Sequence, residues 1–92
     1  MLTGKQKRAL RAEGNLIKPE LWVGKEGIGE GVIQSLNNSF NTKELVKIKL
    51  QESCPLTREE VARILSQRTG AEVVQIIGNT ILLYRPFPEE HQ

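Results

Sequence analysis

Residues 21–40 read LWVGKEGIGEGVIQSLNNSF, in which a short apolar run, four glycines and a helical repeat follow one another. The apolar run, Leu21-Trp22-Val23, has the composition of a buried strand and stops at Gly24. Apolar residues then return at positions 32, 33, 36 and 40, the spacing of one face of an α-helix. This stretch therefore predicts a strand, a glycine loop and a helix.

The residues before this stretch predict a short amphipathic helix over 5–13. Thr3 and Gln6 have the spacing of a capping box, and Gly14 offers a left-handed position at which the helix ends. The apolar contact of this helix is expected to be narrow and to consist of Leu2, Ala9 and Leu10. Its basic side chains are expected to stay in solvent.

The residues after it predict a second strand and a third helix. Residues 45–50 alternate, with apolar side chains at the even positions and lysines at 47 and 49, as in a half-buried strand. Thr57 and Glu60 have the spacing of a second capping box, and the helix that follows is expected to end at Gly70.

Two further β-rich segments, 72–77 and 80–85, predict a hairpin. Gly78-Asn79 between them suits a two-residue turn with a positive φ at its first position. The order α-β-α-β-α-β-β predicts an α/β (α+β) fold in a single domain with a mixed four-stranded sheet, because strands joined through helices can run parallel whereas a hairpin is antiparallel. We expect this domain to span residues 1–88, with 89–92 a short acidic tail.

The composition argues against several classes of protein. The chain has 92 residues, 38% of them hydrophobic, and no apolar run approaches the roughly 20 residues that cross a bilayer. We therefore expect one cytoplasmic domain with no membrane contact. Neither the single cysteine, Cys54, nor the single histidine, His91, has the neighbours that a metal site or a catalytic triad needs. The sequence thus predicts no metal, no cofactor, no small-molecule substrate and no catalytic residue.

The glycine loop is the first candidate binding site. Unpaired backbone N–H groups and the positive end of a helix dipole meet where a strand leads into a helix, so an anion can bind there. Lys25 adds a mobile positive charge, so that Gly24-Lys25-Glu26-Gly27 is a candidate clamp for a phosphodiester backbone, as in RNA-binding modules with a Gly-x-x-Gly loop. The carboxylate of Glu26 opposes this unless it points outward. The alternative is a tight turn without a ligand.

Basic residues extend the candidate site. The net charge is only +2, but residues 1–18 carry five cations against one glutamate, a local charge of +4. Cations neutralise phosphates and so provide most sequence-independent affinity for RNA; the alternative is a solvated face. Trp22 is a possible base-stacking platform, but with apolar neighbours on both sides we expect it in the core.

The same residues resemble those of the CRM domain family, the chloroplast RNA splicing and ribosome maturation module, and in particular its short bacterial YhbY-like members. The resemblance runs from about residue 2 to 86. Its most specific blocks are Val23-Gly24-Lys25-Glu26-Gly27-Ile28, Glu44-Leu45-Val46-Lys47-Ile48-Lys49 and Leu83-Tyr84-Arg85-Pro86. It implies a fold similar to the C-terminal domain of translation initiation factor 3, with the loop facing RNA. Bacterial relatives are associated with precursors of the large ribosomal subunit, and the plant domains with intron splicing.

The resemblance also implies which residues bind RNA. The loop is Gly24, Lys25, Glu26 and Gly27, the supporting basic positions are Lys5, Lys7, Arg8 and Lys18, and the secondary ones are Lys47, Lys49 and Arg85. The chain departs from the family pattern at two places. Gly29 stands where relatives often have a capping residue, and Ala12-Glu13-Gly14 replaces a more hydrophobic helix end.

The sequence thus leads to a monomeric, non-enzymatic protein that binds structured RNA, with large-subunit ribosomal RNA or a pre-ribosomal particle as its partner. Two other functions stay open. One is a protein-interaction adaptor on the ribosome, whose basic residues only aid solubility. The other is an enzyme acting on RNA, for which no paired acid and base are present in the sequence.

Overall fold

Three helices and four strands follow one another in the predicted order in the computed structural model, which describes residues 2–88. The predicted acidic tail, 89–92, with His91, lies outside the described residues. The elements are α1 (Gly4–Gly14), β1 (Leu21–Val23), α2 (Glu30–Phe40), β2 (Leu45–Leu50), α3 (Arg58–Thr69), β3 (Glu72–Ile77) and β4 (Thr80–Tyr84).

The four strands form one mixed sheet in the order β1-β2-β4-β3. β1 pairs with β2 in parallel, and β4 pairs antiparallel with both β2 and β3. The carboxyl ends of β1, β2 and β3 therefore lie together with the start of β4, and we call this edge the loop end of the sheet. The mixed four-stranded α+β fold predicted from the sequence is confirmed.

The helices cover the two faces of the sheet unequally. α2 and α3 pack on one face and form the main core; its members that are buried to 2% exposure or less include Leu36, Phe40, Val46, Ile48, Val61, Leu65, Ile81 and Leu83. α1 packs on the other face, where Leu10 and Ile17 cover a smaller cluster of Leu45, Val74 and Leu82. Leu2 joins this smaller cluster as predicted, whereas Ala9 is exposed.

Local signals fix most helix and turn ends. The capping boxes at Thr3 and Thr57 are both formed, and Gly70 ends α3 in the left-handed conformation with φ 75°. Gly78 has φ 56° at the first position of the hairpin turn, as predicted. β4 ends at Tyr84, one residue earlier than predicted.

Gly14 does not have the role predicted for it. It is the last residue of α1, its φ is not positive, and Asn15 caps the helix in the right-handed conformation. A side chain at position 14 would overlap the δ carbons of Leu82, so glycine is required here by the close approach of α1 to β4.

This close approach gives a test of the packing of α1. We expect Gly14→Leu to lower the free energy of unfolding by about 1–3 kcal/mol, because the buried Leu82 must shift. Gly4→Leu is the matched control in the same helix, since no atom lies within 4 Å of its Cβ position. Urea denaturation measures both. Equal stability of the two variants would contradict the packing described for Gly14.

Candidate nucleic-acid interface

The glycine loop is a tight turn at the loop end of the sheet. The Gly27 amide donates to the Gly24 carbonyl at 2.9 Å, which leaves Lys25 and Glu26 at the two central positions. Gly27 has φ 68°, in the left-handed region where a side chain is strained. The backbone conformation therefore favours glycine at position 27, whereas Gly24 has no positive φ and only its carbonyl takes part in the turn.

The tip of this turn presents both a cation and backbone donors to solvent. The side chains of Lys25 and Glu26 are exposed. Within residues 2–88, the amides of Lys25 and Glu26 donate to no acceptor of the protein. Two adjacent backbone N–H groups beside an ammonium group are suited to an anion. The exposed Glu26 carboxylate is not held against the tip by any hydrogen bond of the described structure.

The connection after β2 lies directly beside the glycine loop. Because β1 and β2 are parallel, their ends meet, and the Cys54 amide donates to Gln51 to form a second turn next to the first. A Cβ at Gly24 would meet only the amide oxygen at the end of the exposed Gln51 side chain, so the two turns lie close together but glycine is not required at position 24. The second turn therefore holds the candidate clamp against the body of the domain.

The helix after the loop begins without a side-chain cap. Gly29 is the N-cap residue of α2 and offers no side-chain acceptor, as the departure from the family pattern predicted. Glu30 in the first turn pairs with Arg68 of α3 at 2.7 Å. This ion pair offsets a negative charge that would otherwise repel a phosphate near the loop.

The basic residues of α1 lie far from the loop. α1 begins beside Glu72, which lies on the other edge strand and at the other end of the sheet from the loop. The distance between them is three strands across the sheet and five residues along a strand, or roughly 20 Å. Lys5 and Arg8 are exposed, whereas Lys7 is half-buried. The Leu2 amide, and with it the charge of Lys7, lowers the pKa of Glu72 below its ordinary value.

The three predicted lysines outside α1 and the loop have different surroundings. Lys18 is exposed, but it precedes β1 and so lies at the far end of that strand from the loop. The Nζ of Lys47 donates to the carbonyl of Ile17 at 3.1 Å and is half-buried, so it holds the α1–β1 connection. Lys49 is exposed and lies opposite Trp22 in the register of β1 and β2, two residues before the loop. Of these three, only Lys49 is brought close to the glycine turn.

Arg85, a secondary basic position of the candidate site, is held by other residues of the protein. Its Nη1 donates to Asn37 Oδ1 at 2.9 Å and to the carbonyl of Thr69 at 2.8 Å. Its guanidinium lies 4.8 Å from the centre of the Phe40 ring. Arg85 thus joins the end of β4 to α2 and α3.

The expectation that Trp22 lies in the core is wrong, because its side chain is 53% exposed. Leu21 and Val23 face the main core, so the residue between them faces the other side of the sheet, where α1 does not reach it. Alternation within the run Leu21-Trp22-Val23 was the signal that could have identified this.

Other kinds of site lack support in the described part of the chain. Across residues 2–88 no three His, Cys, Asp or Glu side chains are grouped to hold a metal ion. None of the helices described is long and apolar enough to span a membrane. A cavity of about 420 Å³ opens between α1 and the β2 start and is lined in part by Leu10, Glu13 and Phe87.

Comparisons with known proteins give a consistent result. The model of the CRS1 / YhbY (CRM) domain matches residues 2–85. "Probable RNA-binding protein YqeI" of Bacillus subtilis is 37% identical over 92 residues, covering 100% of this chain and 96% of that protein. "Probable RNA-binding protein MJ0652" of Methanocaldococcus jannaschii is 40% identical over 87 residues, covering 92% of this chain and 64% of that protein.

A solved structure is similar along nearly the whole chain. It is the solution structure of SAV1595 of Staphylococcus aureus, a hypothetical protein for which RNA binding has been suggested. The TM-score is 0.81 at 38% identity, and the match covers 99% of this chain and 95% of that one. Since the family model spans all seven elements of the fold, the chain belongs to the CRS1 / YhbY (CRM) domain family.

Proposed function

We propose that this chain is a non-enzymatic RNA-binding protein of the cytoplasm that holds the phosphodiester backbone of structured RNA on its glycine turn. The observation that carries the proposal is the tip of the turn, where two unpaired amides lie beside the exposed Lys25. Phosphate oxygens accept hydrogen bonds from such amides, and the ammonium group adds a screened Coulomb attraction. Three relatives or structural neighbours carry RNA binding in their names or descriptions.

The basic flank makes a second, separate contact with the same RNA. Lys5 and Arg8 on α1, and Lys18 after it, are exposed, and about 20 Å separates the start of α1 from the loop. A rigid RNA spans this distance along its backbone, so the two contacts together recognise the shape of a folded RNA. Lys47 and Arg85 are left out of this surface because the protein binds their side chains internally. Lys7 is a weaker member, because it is half-buried near Glu72.

Precursor large-subunit ribosomal RNA is the RNA that we propose as the partner, in a particle still being assembled. The support is the family resemblance, whose bacterial members are associated with these precursors. A small monomer that recognises only the RNA backbone also suits a factor that joins and leaves a particle. Its affinity depends on phosphate contacts, which weaken steeply as the salt concentration rises.

The test is the effect of Lys25→Glu on RNA binding. With large-subunit ribosomal RNA transcribed in vitro, we expect about tenfold weaker binding and a salt dependence reduced by roughly one phosphate contact. Arg63→Glu is the matched control: it makes the same change of charge at an exposed site on α3, on the other side of the sheet. Filter binding at several salt concentrations measures both.

In cells, crosslinking of the tagged chain followed by sequencing and gradient sedimentation tests the choice of RNA. We expect the chain to crosslink to large-subunit RNA in immature particles. The amount of this RNA should fall for Lys25→Glu and be unchanged for Arg63→Glu. If the variant and the control behave alike, the glycine turn is not the RNA contact. Sedimentation with ribosomal particles that survives ribonuclease would favour the protein-interaction adaptor instead.

A further inference from the structure

We infer that the uncovered part of the sheet, next to the glycine turn, is a stacking site for an unpaired RNA base, with Trp22 as its platform. This inference rests on the proposed RNA binding and adds to it a contact with a base rather than with the backbone. No position in the glycine turn or the basic flank provides an aromatic surface.

The site is a row of four side chains that crosses the whole sheet at its loop end. Strand register places them side by side in the order Trp22, Lys49, Thr80 and Ile77. Their sequence neighbours face the main core, so all four project from the opposite face. Trp22 is 53% exposed and Ile77 is 61% exposed. The row thus has an exposed apolar side chain at each end, with a lysine and a threonine between them.

α1 leaves this row uncovered because it crosses the sheet further from the loop end. The contacts of α1 and of the segment after it are with Leu45, Val74 and Leu82, and the α1 terminus lies over Leu82. Lys49 and Thr80 are two residues further toward the loop end than Lys47 and Leu82. Trp22 therefore presents a half-exposed aromatic ring on this open face, and tryptophan with one apolar side and one solvent-facing side is enriched at binding surfaces.

A depression at the Thr80 and Ile77 end of the row, two strands away from Trp22, offers polar groups to a neighbouring base. It has a volume of about 150 Å³ and is lined by Asn15, Lys47, Gln75, Ile77, Thr80 and Leu82. Within residues 2–88, the side chains of Asn15, Gln75 and Thr80 make no hydrogen bond. Amide and hydroxyl groups both donate and accept, so they can pair with the edge of a nucleobase.

The occupant follows from position, size and charge. Trp22 precedes Gly24 by two residues, about 7 Å along a strand, so a single strand leaving the glycine turn reaches the row directly. Lys49 is the one ionisable side chain in the row and suits the phosphate that links stacked bases. The open area, about 15 Å by 10 Å, is far below the roughly 800 Å² that each partner buries in a stable protein complex.

Trp22 is the single tryptophan of the chain, so its fluorescence reports this site alone. We expect large-subunit ribosomal RNA to quench that fluorescence on binding. We also expect Trp22→Leu to bind this RNA about tenfold more weakly, because base stacking on an aromatic ring is lost. Trp22→Phe should recover most of the affinity, since a ring is restored. Phe87→Leu is the matched control, an exposed aromatic residue at the other end of the sheet.

The outcomes separate this inference from the proposed function. If Lys25→Glu weakens RNA binding while Trp22→Leu does not and the fluorescence is unchanged, the stacking site is wrong and the backbone clamp stands. If Trp22→Leu and Trp22→Phe are equally weak, or if Trp22→Leu binds as tightly as Phe87→Leu, stacking is likewise overturned. If the unaltered chain binds no RNA and its tryptophan is instead shielded by a protein, both proposals fail. Circular dichroism confirms that each variant is folded.

Discussion

The Arg85→Ala variant is expected to unfold with a free energy about 2–4 kcal/mol below that of the unaltered chain. The guanidinium donates to Asn37 and to the last carbonyl of α3, Thr69, and lies against the buried Phe40 ring. Its removal leaves a helix-end carbonyl without its donor and unlinks three elements. Urea denaturation followed by circular dichroism measures the change.

Two further variants define the cause of this loss. Arg85→Lys should recover no more than half of the stability, because an ammonium group cannot reproduce the planar fork that reaches two acceptors and a ring. Arg63→Ala should change stability by less than about 0.5 kcal/mol, since Arg63 is exposed. If Arg85→Ala were as stable as Arg63→Ala but bound RNA poorly, Arg85 would be the RNA contact that the family resemblance implied.

The second large effect is expected from reversing charge in both parts of the proposed RNA surface. Lys5→Glu, Arg8→Glu and Lys25→Glu together should weaken binding to large-subunit ribosomal RNA on the order of 10²- to 10³-fold, because three phosphate contacts are replaced by repulsion. These three side chains are exposed, so the fold should be unaffected. Lys7 is kept, since its charge acts on Glu72. Filter binding over a range of salt concentrations gives the affinity and its salt slope.

The control for this triple variant reverses one charge outside the proposed RNA surface. Arg58 and Arg68 are engaged in ion pairs, so the control reverses Arg63 alone, and the comparison is made per charge reversed. An RNA affinity and salt slope like those of the unaltered chain would exclude this surface as the RNA contact. A loss no greater than that of Lys25→Glu alone would confine the contact to the glycine turn.

The elements of the fold were predictable because their signals are local. The capping boxes at Thr3 and Thr57, the positive φ of Gly78 and the alternation of residues 45–50 each involve neighbours within a few positions. The same holds for the glycine turn, where the Gly27 amide bonds to the Gly24 carbonyl and Gly27 has a positive φ. Such features do not depend on where the rest of the chain goes.

The surroundings that the sequence did not indicate depend on contacts between distant parts of the chain. Gly14 is needed because Leu82 approaches it, and Arg85 is bound by Asn37 and Thr69, none of which is near in sequence. Lys47 had the pattern of an exposed strand lysine, but its Nζ donates a hydrogen bond to the Ile17 carbonyl, thirty positions away. The exposure of Trp22 depends on how far α1 extends across the sheet, which periodicity does not specify.

The place of β4 between β2 and β3 affects how the chain folds while it is being made. Translation produces residues 80–84 after every other element of the described fold, yet these residues pair with strands on both sides. Until Tyr84 leaves the ribosomal exit tunnel, β2 lacks its antiparallel neighbour and the cluster beneath α1 lacks Leu82. The elements before β4 therefore cannot reach their final packing one after another from the amino terminus, because the sheet and both clusters are completed only when β4 is available.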